Sequence, residues 1–311
     1  MAKNTYQAMA VQLPRQAGRT AIVTGTGGLG FEVARKLASL GARLIIAGRN
    51  PTKGQAALAH IAAAVPGADI RFELLDLAAL ASVKDFARRM VREGHAIDLL
   101  VNNAGIMSPP KRRVTVDGFE AQFATNHLGH FALTARLLPL LLKSDAARVV
   151  NVTSIAHRIG RMDFDDLQSE RKYQPGVAYC RSKLAVALVA RTLHQRAQAH
   201  GLKIASLAAH PGFARTNLFA AEGGSKSVLT LLSTRLLVPL LGHSAAAGSA
   251  PILQAALSPD AQSGRLYGPT GFLEMRGATG ECPFGAGALD DAAGDRLWRL
   301  SEELAGVSFG R

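Results

Sequence analysis

Cysteine is almost missing from this chain: Cys180 and Cys282 are the whole complement in 311 residues. Two cysteines cannot build a disulfide framework or a cysteine-rich zinc centre, so a reducing compartment is expected. Aromatic residues are sparse at 5%, while glycine is plentiful at 31 residues. That balance suits close backbone packing and Ala/Leu-rich helices better than an all-β sandwich. Acidic charge is the minority, with 23 Asp and Glu against 36 Lys and Arg, a formal net charge of +13. Such a balance is compatible with nucleic acid or an anionic membrane surface. Yet the cations are scattered, their one tight run is Lys111-Arg112-Arg113, and no nucleic-acid-binding motif accompanies them. Nucleic acid is therefore not an expected partner. Long apolar runs are also lacking. A spanning helix needs roughly 20 apolar residues, and the best stretch, Val228 to Leu241, is broken by Arg235 and Pro239. The opening residues carry no apolar core of a signal peptide. The expectation is a soluble cytoplasmic protein without a membrane span. At 48% hydrophobic residues, it can bury a sizeable core rather than stay disordered.

What is present is an alternation of strand and helix. β-branched and apolar runs at Thr20–Thr24, Arg43–Ala47, Phe72–Leu75, Asp98–Asn102, Arg148–Thr153 and Lys203–Ala208 read as strands. Helical patterns lie between them at 31–40, 52–64, 79–92, 117–142 and 176–200. The strands are continuously apolar, as expected when helices cover both faces of a sheet. Right-handed βαβ crossovers then give an α/β fold, a Rossmann-type doubly wound parallel sheet, in a single domain. Residues 1–17 read as an N-terminal extension and 18–311 as the domain. Within it, 213–250 is apolar but irregular, and is expected to form a helical lid over an apolar substrate pocket. Arg265–Tyr267 looks like a last strand, 277–288 like a Gly/Ala-rich loop, and 290–304 like a closing helix with Trp298 facing inward. Residues 271–311 form the C-terminal segment.

Three patterns carry chemistry. Thr24-Gly-Thr-Gly-Gly-Leu-Gly30 follows the first strand and opens its helix; glycines let backbone approach a pyrophosphate, and a helix N-terminus attracts its charge. Gly25, Gly27 and Gly30 also fit G-x-G-x-x-G, a pattern that gains weight from this position. Tyr179 and Lys183 stand at i and i+4 on one helix face. An ammonium there is expected to lower the phenol pKa and make the tyrosine a usable proton donor or acceptor; on its own, such a pair is also an ordinary exposed helical pair. Asn151-Val-Thr-Ser154 ends the fifth strand, at the sheet edge that faces the ligand crevice in such folds, although a serine there can equally cap a turn.

Together with Asp76-Leu77, Asn102-Asn-Ala-Gly105, Asn126 and His210-Pro-Gly212, these motifs resemble the short-chain dehydrogenase/reductase family from residue 18 to about 217. Ala178-Tyr-Cys-Arg-Ser-Lys-Leu184, Asp166-Leu-Gln-Ser-Glu170 and the wide Ser154–Tyr179 spacing resemble its retinol dehydrogenase-like branch; Tyr267 to Arg276 resembles the soluble bacterial relatives of that branch. The resemblance implies a catalytic set: Tyr179 as general acid/base, Lys183 lowering its pKa and binding the nicotinamide ribose, Ser154 orienting the substrate carbonyl, and Asn126 holding a water that links Lys183 to solvent. It implies a cofactor set as well. Gly25, Gly28, Leu29 and Gly30 line the pyrophosphate turn; Asp76 and Leu77 lie at the adenine; Asn103, Ala104 and Gly105 back the adenosine ribose; Pro211, Gly212 and Thr216 lie at the nicotinamide carboxamide. The family turn, T-G-x-x-x-G-x-G, is one residue longer than the one here, which removes one potential contact to a 2′-phosphate. The second strand ends Ala47-Gly48-Arg49, without the acid that favours NAD, and Arg49 can clamp a phosphate, with Lys53 adding a weaker charge. The cofactor implied is NADP(H). The partner implied is a small hydrophobic carbonyl compound or its alcohol, handled by a monomer or homo-oligomer. The alternative is a non-catalytic NADP(H)-binding protein of the same fold.

Two further patterns have plainer readings. His127-x-x-His130 has metal-ligand spacing but no Cys or Glu partner in sequence, so it reads as a packed helix face and no metal is expected. Cys180 reads as a small buried residue rather than a nucleophile.

Overall fold

The computed structural model describes residues 13–213 and 244–309. Strands β1 (Thr20–Thr24), β2 (Arg43–Gly48), β3 (Ile70–Leu74), β4 (Leu99–Asn102), β5 (Ala147–Val152) and β6 (Ile204–Ala209) are joined through helices α1 (Gly28–Ser39), α2 (Pro51–Ala64), α3 (Leu80–Glu93), α4 (Ala121–Phe123), α5 (Gly129–Leu141) and α6 (Pro175–Ala199). Helix α7 (Ala245–Leu257), β7 (Leu266–Pro269), β8 (Thr279–Cys282) and α8 (Asp291–Ala305) complete the described chain. The sheet order is β3-β2-β1-β4-β5-β6-β7-β8. Strands β1 to β7 run parallel, and the order reverses beside β1, where open α/β sheets place their ligands. This is an α/β single domain.

Three elements differ from the sequence reading. The stretch 277–288 is not wholly loop: Thr279–Cys282 pairs antiparallel with β7, with Cys282 opposite Leu266. The C-terminal part of the irregular stretch is helix α7, whose buried residues, including Ile252 and Ala255, pack against α1 and the sheet. Its apolar residues fall almost all round the helix and hide the periodicity. The expected helix at 117–142 begins at Ala121 and passes through one π turn, Ala124–Leu128, before α5. Most of the expected lid, and with it Thr216, lies outside the described residues.

One core layer joins α3, α5, α6 and α8 to the sheet, and the other joins α1 and α7 to it. Trp298 is fully buried, with its ring centroid 5.0 Å from Phe131 and 4.4 Å from Phe309. The described part of the N-terminal extension is packed rather than loose: Gln16 N donates to Leu40 O at 2.8 Å, and Leu13 lies against the second core layer. Among the described residues no helix is long and apolar enough to cross a membrane.

Candidate active site

The Gly-rich turn leaves β1 at Thr24 and enters α1 at Gly28. Gly25 and Gly28 have φ of +97° and +54°, which glycine adopts at least cost. Gly30 is required by proximity instead: a Cβ there would lie 2.6 Å from Gly25 O and 2.5 Å from Asn103 Nδ2. A Cβ on Gly27 would meet nothing within 4 Å, so the turn is open on that side. No side chain caps α1, and its first turn carries no acid. Free N–H groups at an open helix N-terminus suit a pyrophosphate.

The turn is locked to the end of β4. Thr24 Oγ1 accepts from Asn103 N (2.9 Å) and Ala104 N (3.0 Å), and Asn103 Nδ2 donates to Thr24 O (2.8 Å). Asp76 Oδ1 accepts from Ala78 N at 2.9 Å, and Leu77 is buried. Beyond β2, Arg49 is exposed and pairs with no described residue, while Gly48 meets the turn directly: a Cβ on it would lie 2.9 Å from Thr26 Cγ2. A side chain at position 48 would therefore require Thr26 to move.

The residues at the ends of β4 and β5 converge. Ser154 caps the short 3₁₀ helix Ile155–Ile159, its Oγ accepting from Ala156 N at 3.2 Å. That helix packs on α6, where a Cβ on Gly160 would lie 2.6 Å from Cys180 O. The wide insertion before Tyr179 is pinned to α6 as well, with Arg181 Nη1 donating to Asp166 O (2.6 Å) and Ser169 Oγ (3.1 Å). Asn126 lies in the π turn, a feature frequent at functional sites. Its Oδ1 accepts from Ile106 N (2.8 Å), and its Nδ2 donates to Ile106 O (3.0 Å) and Ser182 Oγ (2.9 Å). Ser182 in turn donates to Tyr179 O. A Cβ on Gly105 would lie 2.9 Å from Asn126 Oδ1 and 3.7 Å from Lys183 Nζ, so Gly105 admits both groups.

The electrostatics depart from the expected tyrosine–lysine pairing. Lys183 Nζ donates to Val152 O at 2.9 Å, and burial lowers its pKa to about 8. With the ammonium turned to that carbonyl, it does not lower the phenol: burial pushes Tyr179 up to about 12, opposed in part by a hydrogen bond with Ser154. At neutral pH the phenol is a proton donor.

Sequence reasoning missed the residues behind Ser154. His157 Nδ1 donates to Ser154 O (2.6 Å), and its Nε2 accepts from Gly285 N (3.0 Å). Burial lowers its pKa to about 4, so the ring is neutral and this tautomer satisfies both partners. The pair His127 and His130 is split between two networks. His127 meets Ser301 Oγ at 2.8 Å, whereas His130 meets Thr24 Oγ1 and Asn126 O. Pro211 and Gly212 lie at the end of β6, Gly212 at φ +67°. Cys180 is half-buried, and burial raises its thiol pKa. No sequence signal links His157 to Gly285, because the contact depends on the C-terminal segment folding back.

Comparison with known proteins agrees with this geometry. Residues 19–226 match the model of the short chain dehydrogenase family, and the chain belongs to that family. It lies on the retinol dehydrogenase-like branch. It is 39% identical to human retinol dehydrogenase 12 over 304 residues, covering 96% of this chain and 89% of the relative. It is also 39% identical to mouse polyprenol dehydrogenase over 303 residues, covering 96% and 87%. A crystal structure of an uncharacterized protein from Mycobacterium paratuberculosis superposes with a TM-score of 0.79 at 37% identity, covering 96% of this chain and 98% of that one. The NADP complex of Pseudomonas aeruginosa RhlG superposes with a TM-score of 0.64 at 25% identity, covering 81% and 94%. The family makes this chain an oxidoreductase that uses a nicotinamide cofactor on alcohol or carbonyl groups.

Proposed function

We propose that the protein is an NADP(H)-dependent oxidoreductase that interconverts a hydrophobic ketone or aldehyde and its alcohol, with Tyr179 as general acid/base. The observation that carries this reading is the Ser154–Tyr179 hydrogen bond, with Lys183 one turn along the same helix and both Lys183 and Asn126 against Gly105. Nucleotide binding alone does not require all four.

The bound cofactor would supply or accept the hydride at the substrate carbon. Gly25, Gly28, Leu29 and Gly30 would hold its pyrophosphate, and Asp76 and Leu77 its adenine. Asn103, Ala104 and Gly105 would back the adenosine ribose, with Pro211, Gly212 and Thr216 at the carboxamide. Arg49, exposed and unpaired among the described residues, would take the 2′-phosphate. In the reduction direction Tyr179 donates its phenol proton to the carbonyl oxygen, and in oxidation it accepts that proton back. Ser154 donates to the same oxygen and fixes its position. Lys183, protonated below about pH 8, would meet the nicotinamide ribose. Asn126 braces the turn around Gly105 against α6.

A hydrophobic substrate is supported by the 213–250 sequence, with Phe213, Leu218, Phe219, Val228 and Leu229; apolar pockets bind through buried area with few polar anchors. Relatives named as retinol and polyprenol dehydrogenases point the same way. NADPH oxidation should be followed with lipophilic aldehydes and ketones beside polar sugars. Turnover confined to the lipophilic set is expected. Equal rates on both sets would overturn the hydrophobic assignment. Tight NADPH binding with no turnover on any carbonyl would favour the non-catalytic alternative.

A further inference from the structure

Behind the candidate site, three side chains from distant parts of the chain meet. Arg158 Nη2 donates to Glu274 Oε1 (2.7 Å), Glu274 Oε2 (2.9 Å) and Pro283 O (2.6 Å). His210 Nε2 donates to Glu274 Oε2 at 3.1 Å, and His210 Nδ1 accepts from Gly212 N at 3.2 Å. The carboxylate therefore lies between the turn that follows Ser154 and the turn formed by His210, Pro211 and Gly212. Both hydrogen bonds and the nearby guanidinium hold Glu274 below the usual carboxylate range, so it is ionised at neutral pH.

The backbone contacts repeat this arrangement. Phe213 N donates to Met275 O at 2.9 Å. A Cβ on Gly212 would lie 2.5 Å from Met275 O, and a Cβ on Gly285 would lie 2.8 Å from Arg158 Cα. Leu273 and Glu274 both adopt positive φ, 50° and 55°, a conformation that costs a non-glycine residue energy and persists where its surroundings impose it. Cys282 completes a group with His210 and Glu274 whose ligating atoms lie within 4.8 Å of one another. That spacing suits a metal ion, but Arg158 already bonds both oxygens of the carboxylate, and a cation placed there would face the guanidinium.

We propose that Glu274 is a positioning residue for the reaction. Held between Arg158 and His210, it keeps the Ser154 turn in register with the Pro211–Gly212 turn. This rests on the proposed roles of Ser154 at the substrate oxygen and Pro211–Gly212 at the nicotinamide. The distance between those turns sets the distance over which hydride must pass, and small losses of alignment cost rate steeply.

The test uses the full chain with Glu274→Gln, a neutral isostere, and Arg158→Met beside its conservative counterpart Arg158→Lys. Each variant is assayed well below its melting temperature with NADPH and with NADPH deuterated at the transferred position. Glu274→Gln and Arg158→Met are expected to lower kcat about tenfold, to change KM less than threefold, and to raise the deuterium isotope effect on kcat. Arg158→Lys should recover part of kcat, because an ammonium keeps the charge and can still donate, although it lacks the planar fork of a guanidinium. Unchanged kcat and isotope effect in a folded Glu274→Gln would overturn the proposal and leave the network a role in stability alone. Tyr179→Phe in the same series separates the two readings: if it keeps full turnover, the site assignment fails first. If it is inactive while Glu274→Gln is normal, the positioning proposal alone fails.

Discussion

The Thr24 hydroxyl and the His130 ring meet at 2.9 Å, fully inside the protein. His130 Nδ1 faces the Asn126 carbonyl at 3.1 Å, so that nitrogen carries the ring proton and Nε2 accepts from Thr24. Thr24 then spends its lone pairs on Asn103 N and Ala104 N. A neutral histidine on α5 thereby fixes how the Gly-rich turn meets the end of β4. Burial lowers its pKa to about 4 and that of His127 to about 3.

Acid should therefore destabilise the fold before its carboxylates titrate. His127, His130 and His157 stay neutral when folded but bind protons near pH 6.5 when unfolded. Their contribution is present above that pH and lost as pH falls toward the folded values of about 3 to 4. Each contributes up to about 1.4 kcal/mol per pH unit across that window. Together the three lose about 6 kcal/mol between pH 7 and pH 5, and the melting temperature is expected to fall by roughly 10–20 °C, given about 2–4 °C per kcal/mol for chains of this size. His127→Gln should flatten the decline by about a third. A melting temperature level across this range would contradict the neutral assignments.

Gly27 and Gly30 should separate folding from binding. Gly30→Ala places a Cβ against Gly25 O and Asn103, and overpacking of this kind costs about 1–3 kcal/mol. Gly27→Ala has open space and a φ of −140° that any residue adopts. It should leave the melting temperature within a degree or two and weaken NADPH binding. A Gly27→Ala variant with unaltered affinity would contradict a pyrophosphate seated on the open side of the turn.

Arg49→Ala should weaken NADPH by about 1–3 kcal/mol, the scale of a charged hydrogen bond, and leave NADH nearly unchanged. Dissociation constants for both cofactors, on wild type and variant, decide it. A wild type that prefers NADH, or a variant that loses both equally, would contradict the NADP(H) assignment.

Local signals made much of the architecture readable. β1 occupies Thr20–Thr24 as its β-branched run indicates, and α6, read as 176–200, spans Pro175–Ala199. Helix α7 was hidden because its apolar residues surround it and Pro251 mimics a breaker. β8 was hidden because Thr279-Gly-Glu-Cys282 has little strand propensity and exists by pairing with β7. At the site, residue types were legible but orientations were not. The turn of Lys183 toward Val152 O depends on a backbone carbonyl, which no side-chain pattern reports. Glu274 meets Arg158 across 116 residues, a separation at which sequence spacing carries no information.

The central claim is that Tyr179 transfers the proton in a reaction driven by NADP(H). Tyr179→Phe removes the phenol oxygen and almost no volume. The decisive measurement is its turnover with NADPH and a lipophilic aldehyde, taken together with its NADPH dissociation constant. The account predicts at least a thousandfold loss of kcat, within the range of roughly 10²–10⁴ for a positioned acid, and a dissociation constant within threefold of wild type. Near-normal turnover in that variant would contradict it.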